Sequence, residues 1–183
     1  MTIRKEFFYV YYKSAFVDEL ENKNEDELKE EIEDLEFQML RMQDNLKEIA
    51  KKWQVIGIEK TKEDNWVIVY TSDDGDTCKV MLNDCESAFR GMWDFSIQAS
   101  YEDQNTIHIG DIKGPENRGY GSICMNYLKE LAKDQNIQYI TGDIAKRDWD
   151  HKDRLVHFYK KHNFKINLDK ENQSGEIEWN LVY

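Results

Sequence analysis

"GPENRGYGSICMNYL", Gly114 to Leu128, sets three glycines, a proline and an arginine ahead of an apolar run. It follows "TIHIGDI", Thr106 to Ile112, which alternates apolar and polar residues as a strand does. The junction reads as strand, glycine loop, helix. Successive backbone N–H groups in such a turn, opening a helix, form a concave positive site suited to phosphate. Gly119 and Gly121 leave no side chain between that backbone and a ligand, Arg118 adds a cation, and Ser122 adds a hydroxyl at the helix start. A tight turn without a ligand needs glycine too, so the loop alone leaves both readings open. Two phosphate loops are excluded. A dinucleotide fingerprint needs a third glycine where Cys124 stands, and the Gly-Lys-Ser/Thr of a Walker loop is missing.

Upstream of the loop the hydrophobic period is two. "VIGIEK", "NWVIVYTS", "TCKVMLN" and "MWDFSIQASYED" read as successive strands leading to "TIHIGDI", with turn signals at "SDDGD" and "EDQN". This hairpin-like order predicts an antiparallel sheet. Downstream come a helix over about Ser122 to Gln135, a strand "IQYITGDI" and a helix over about Asp153 to His162. A closing hairpin, "FKINLDK" and "GEIEWNLVY", turns at "ENQSG". A strand–helix–strand–helix unit after a meander predicts an α+β fold with a mixed, mostly antiparallel sheet flanked by helices.

Nearer the N-terminus, "EFFYVYY" (Glu6 to Tyr12) is aromatic and strand-prone. A long helix follows, in which Leu28, Ile32, Leu35, Met39, Met42, Leu46, Ile49 and Trp53 step alternately by four and three. Such a seam either packs on its own domain or meets a second helix, as in a homodimer through Leu28–Trp53. Phe37 and Leu40 lie off the seam and widen the apolar face. We divide the chain into residues 1–54, the strand and heptad helix, and residues 55–183.

A chain of 183 residues, 40 % apolar and 13 % aromatic, suffices for one domain with an appended element. No stretch approaches the roughly 18 apolar residues of a membrane helix, and "MTIRKEFFYVYYKS" lacks signal-peptide order, so a soluble cytoplasmic protein with no membrane partner is expected. Cys78, Cys85 and Cys124 have neither metal nor disulfide spacing and read as reduced thiols. The net charge is −12, and nine of those negative charges come from Asp18–Glu36, where eleven acids face Lys23 and Lys29. No basic stripe offsets them, which argues against nucleic acid.

The loop and its surroundings resemble the GCN5-related N-acetyltransferases (GNAT). Their signature Q/R-x-x-G-x-G/A, between a strand and a helix, is matched by "ENRGYG", with Gly119 and Gly121 in register and Glu116 at the Gln/Arg position. About forty residues on, "FYKKHNF" resembles the family's LYxxxGF, with Asn163 in place of the glycine. Asn tolerates the left-handed helix end that this position requires. The resemblance spans roughly Trp66 to Tyr183 and implies an acyl-CoA N-acyltransferase fold with acetyl-CoA as cofactor. It places acetyl-CoA between two splayed parallel strands, "TIHIGDI" and "IQYITGDI". The pantetheine would pair with main chain near Asp111 and Ile112, and the pyrophosphate would sit on the amides of Asn117, Arg118, Gly119, Tyr120, Gly121 and Ser122. An amine would attack the thioester directly, with Tyr159 protonating the departing thiolate.

The acceptor is expected to be a small-molecule or protein amine. His108, Glu102, Asp111 and Asp143 are candidates for the base, with a water relay as the alternative, and no metal site is expected from His151, His157 and His162. "RDWDHKDR" (Arg147 to Arg154) is a substrate-side loop or a helix start. Beside the enzyme stand two other readings: a GNAT-fold module with weak or no catalysis that oligomerises through the heptad helix, and a nucleotide-binding protein.

Overall fold

The computed structural model describes residues 24–181. The aromatic stretch Glu6–Tyr12 and the acidic residues before Asn24 lie outside them. The first described element is α1 (Glu25–Ala50). Asn24 caps it: its Oδ1 accepts from the N–H groups of Asp26 and Glu27 at 3.1 and 2.9 Å, while Glu27 Oε2 accepts from the Asn24 N–H at 3.0 Å. Three otherwise unpaired donors are satisfied, two of them by the reciprocal exchange between Asn24 and Glu27, and the acidic first turn opposes the helix dipole.

The described residues divide into two compact units that part between Arg41 and Met42, so the division falls within α1. In the first unit the seam residues Ile32, Leu35 and Met39 are exposed, as are Phe37 and Leu40. In the second, Ile49 is fully buried on Ile68, Tyr70 and Met81, with Met42, Leu46 and Trp53 packed around them. Trp53 lies past the helix end and meets the Tyr70 ring at 5.6 Å.

The second unit holds an eight-stranded sheet of order β1-β2-β3-β4-β5-β6-β8-β7. Its strands are β1 (Gln54–Lys60), β2 (Trp66–Asp73), β3 (Thr77–Asn83), β4 (Phe95–Tyr101), β5 (Thr106–Lys113), β6 (Tyr139–Ile144), β7 (Lys165–Asp169) and β8 (Ser174–Asn180). Every neighbouring pair is antiparallel except β5 with β6. The crossover between those two is α2 (Tyr120–Asp134), and a 3-10 turn (Lys146–His151) leads from β6 into α3 (Lys152–Lys161). The expected α+β fold with a mixed sheet is therefore the fold observed. Asp169 closes the last hairpin by accepting from Glu171 and Asn172 N–H, each at 3.0 Å.

One sheet face and α2 share the main core. Val67, Val69, Val80, Leu82, Ile97, Ile107 and Ile109 meet Cys124, Met125, Leu128 and Ala132, all buried. Cys124, Leu128 and Ala132 recur every four residues, which puts them on one helix face, and each fully buried Leu or Ile contributes roughly 1.5–3 kcal/mol. Both helices end on left-handed asparagines, Asn136 (φ 61°) and Asn163 (φ 59°). After Asn163 the Phe164 N–H reaches back to the Tyr159 carbonyl at 3.0 Å, a Schellman closure.

Two strand boundaries differ from the sequence reading. β4 starts at Phe95 because Asp94 has turned inward, its carboxylate accepting from Asn83 Nδ2 at 2.8 Å and Asp84 N–H at 3.0 Å. β6 starts at Tyr139 because the Ile137 N–H closes α2 on the Ala132 carbonyl at 2.8 Å. "RDWDH" forms the 3-10 turn, and Trp149 there packs on the main core under Lys152, whose Nζ stands 5.6 Å from the ring.

Candidate functional site

The site begins where two strands part. β5 and β6 pair from Thr106–Tyr139 to Ile109–Gly142 and no further. Beyond that point Asp111, Ile112 and Lys113 pair only with β4, whereas Asp143 and Ile144 pair only with β8. The β4–β5 register slips between Gln98 and Ala99, so Gly110 has no partner there and β5 bends away. Two main-chain edges are thus left unpaired, facing each other across a widening gap. A cleft of about 1050 Å³ fills it, lined by Gly110–Gly119, Gly121, Ser122, His108, Asp143, Arg154, Tyr159 and Lys161 among others.

The glycine loop forms one wall. Asn117 (φ 62°) and Gly119 (φ 80°) are both left-handed, which turns the intervening N–H groups to one side. A Cβ on Gly119 would meet nothing within 4 Å, so the space beside that backbone is open to the cleft. At Gly121 a Cβ would come within 3.1 Å of Phe95 and 3.2 Å of Phe158, so glycine there serves packing. The Gly119 carbonyl takes the N–H groups of Ser122 and Ile123, at 3.0 and 3.2 Å. Among the described residues no backbone acceptor takes those of Gly119, Tyr120 and Gly121. These are the orphan donors of a helix start, without a side-chain cap. The Tyr120 side chain is buried in the core, and burial pushes its phenol up to about 12, so only its main chain faces the loop.

The charges pair in a way the sequence does not reveal. Arg118 is held by Glu86 at 3.1 Å and Glu63 at 3.7 Å, so its cation is already shared. Glu116 pairs with Arg154 of α3, which neutralises the carboxylate at the signature position. Asp111 pairs with Lys113 at 2.5 Å. Lys161 instead donates to Ser122 Oγ at 2.8 Å, and the His162 ring nitrogen lies 3.2 Å from the same oxygen. His162 is buried, and desolvation aided by Lys129 and Lys161 lowers its imidazole to about 4. Lys161, His162 and Arg154 were missed as companions of the loop. Ser122 lies 39 and 40 positions from its two partners, a pairing that only the packing of α3 on α2 creates.

Tyr159 lines the cleft from α3, with its ring held between Phe158 at 5.3 Å and Phe164 at 5.4 Å. Burial, then the nearby Asp148, pushes its phenol up to about 12, so it stays protonated at neutral pH. His108 lies across the cleft. Its Nδ1 is 3.1 Å from Thr141 Oγ1 and 3.6 Å from Glu102, and its Nε2 is 3.6 Å from Asp143. The fold therefore brings together three of the four candidate bases, while Ile112 packs partly buried on the core. Among the described residues no three His, Cys, Asp or Glu side chains converge to hold a metal ion, and no helix is long and apolar enough to cross a membrane.

A mixed sheet whose single parallel pair parts over a glycine loop is the GNAT fold, and solved structures bear this out. The GNAT domain of S. lividans PAT superposes with a TM-score of 0.55 at 7 % identity, over 68 % of this chain and 96 % of that one. A mutant of the cAMP-binding acyltransferase from Mycobacterium smegmatis gives 0.56 at 11 % identity, over 79 % of this chain and 52 % of the other. In sequence the chain is 58 % identical over 160 residues to the uncharacterized protein YocC of Bacillus subtilis (strain 168), spanning 87 % of this chain and 96 % of YocC. The chain belongs to the family of YocC. No protein-family model matches it.

Proposed function

We propose that the protein is an acetyl-CoA-dependent N-acetyltransferase acting on a primary amine in a ternary complex. The observation that carries this reading is the parting of β5 and β6 directly beside the glycine loop. The unpaired edge at Asp111–Lys113 suits an extended amide-bearing ligand, which would add to β5 as a strand does. The open space at Gly119 and the free N–H groups around it suit a pyrophosphate. Asn117, Arg118, Gly119, Tyr120, Gly121 and Ser122 would hold it, Arg118 through its main chain and Lys161 supplying the cation. The M. smegmatis neighbour is, by name, an acyltransferase, which agrees with this use of the fold.

Acetyl-CoA, when bound, supplies an acetyl group activated as a thioester. The chain's own residues orient and protect the reaction. A main-chain N–H near Ile112 offers a hydrogen bond to charge developing on the carbonyl oxygen. Tyr159, protonated, would donate a hydrogen bond and then its proton to the departing sulfur. Calorimetry with acetyl-CoA against ATP and NAD, followed by labelled acetyl transfer to a panel of amines, tests the reading. Heat and transfer with acetyl-CoA are expected, and no heat with acetyl-CoA overturns it.

The exposed apolar stretch of α1 supports a second function beside catalysis, self-association. Ile32, Leu35 and Met39 continue one heptad seam, the pattern by which two copies of a helix bury each other.

A further inference from the structure

We infer that His108 is the catalytic base that deprotonates the acceptor amine, an assignment that rests on the acetyltransferase reading. His108 stands one residue before the last β5–β6 pair, Ile109 with Gly142, and so faces the point where the cleft opens. Strand alternation puts Ile107 and Ile109 in the main core and His108 on the other face, beside its register partner Thr141. The imidazole is only partly covered, with 25 % of its side-chain surface exposed. It is also oriented. With Nδ1–H donated to Thr141 Oγ1 at 3.1 Å, the Nε2 lone pair is left for a proton.

The surroundings suit a group that gains positive charge. Glu102 faces Nδ1 from the turn after β4, and Asp143 faces Nε2 from β6, each at 3.6 Å. Ser100 is its register partner on β4 and carries no charge. An imidazolium formed here is held between two carboxylates. The competing bases fit less well. Asp111 is tied to Lys113, and His162 is engaged with Ser122 under two lysines. Glu102 and Asp143 flank the imidazole and are themselves solvated, with 52 % and 69 % of their side-chain surface exposed.

His108 Nε2 takes one proton from the acceptor's ammonium group, leaving a nitrogen lone pair. That pair forms the C–N bond as the C–S bond breaks with its electrons on sulfur. The nitrogen loses a second proton to water, the sulfur gains one, and His108 returns its proton to solvent.

The test compares wild type with His108→Gln and His108→Ala. Transfer is assayed to spermidine, tyramine, glucosamine and Nα-acetyl-lysine amide, and acetyl-CoA affinity is measured separately by calorimetry. Loss of about 10²-fold in kcat/KM in both variants, unchanged acetyl-CoA affinity, and partial recovery of His108→Ala by added imidazole are expected. Full kcat/KM in His108→Gln overturns the assignment and leaves the functional reading intact. Loss of acetyl-CoA affinity in parallel with rate assigns His108 to structure and overturns it as well. Wild type that binds no acetyl-CoA, or transfers to none of these amines, overturns the functional reading and this inference with it.

Discussion

Tyr159 and His162 sit three residues apart on one helix end and differ in what burial does to them. In Tyr159 burial raises the phenol to about 12, so the hydroxyl keeps its proton at neutral pH, as the proposed acid role requires. Tyr159→Phe keeps the packed ring and removes only the hydroxyl. Steady-state kinetics should show kcat down about 10²-fold with acetyl-CoA affinity and melting temperature little changed. An unaltered kcat would remove Tyr159 from the reaction. In His162 burial acts on a cation instead, holding the imidazole near 4 against an ordinary 6.5. Between those values the unfolded chain binds a proton that the fold refuses, so stability falls on acidification through pH 6.5 to 4 and is unaffected above. The loss is roughly 3 kcal/mol at most. His162→Gln should flatten that window in denaturant titrations compared with wild type, and identical curves would exclude it. Acidic losses that both proteins share come from carboxylates such as Asp73, Asp74 and Asp169, which hydrogen bonds hold below their usual range.

The helices and strands show how far local pattern carries. The seam from Leu28 to Trp53 is unbroken in sequence, and periodicity reports only that one helix face is apolar. It carries no information about what covers that face. Ile49 and its neighbours are covered by β2 and β3, whereas Ile32, Leu35 and Met39 are about half exposed at 55 %, 50 % and 48 %. Lysine at Ile32 and Leu35 should leave the folded unit intact, because neither side chain is buried in it. If the stretch joins two copies, sedimentation should find wild type as a dimer and the double variant as a monomer. A wild-type monomer at high concentration would refute the pairing. The loop was legible for a different reason, since a left-handed Gly119 is a local demand that glycine meets and other residues resist. The pairing of Glu116 with Arg154 was not legible, because it depends on the approach of α3 to the loop.

At the scale of the whole molecule, the order of strands and helices was readable from hydrophobic period and turn residues. The one parallel pair followed from its helical crossover. The parting of that pair was expected only through the family resemblance. The bulge at Gly110 that bends β5 away is a matter of register between distant segments. A cleft bounded by β5, β6, the glycine loop and α3 couples ligand binding to the stability of the sheet and its crossover. A ligand that binds the fold alone stabilises it, by about 2.7 kcal/mol at one hundred times its dissociation constant. For a chain of this size that corresponds to a rise of roughly 5–10 °C in melting temperature. Acetyl-CoA should produce that rise, and ATP and NAD should not. Gly119→Ala gives the control. At φ 80° alanine costs roughly 1–2 kcal/mol, and its methyl enters the space left open to the cleft. The variant should melt a few degrees lower than wild type and lose the rise with acetyl-CoA. An equal rise in both proteins would place the ligand away from the loop, and no rise in wild type would leave the glycines as a turn and nothing more.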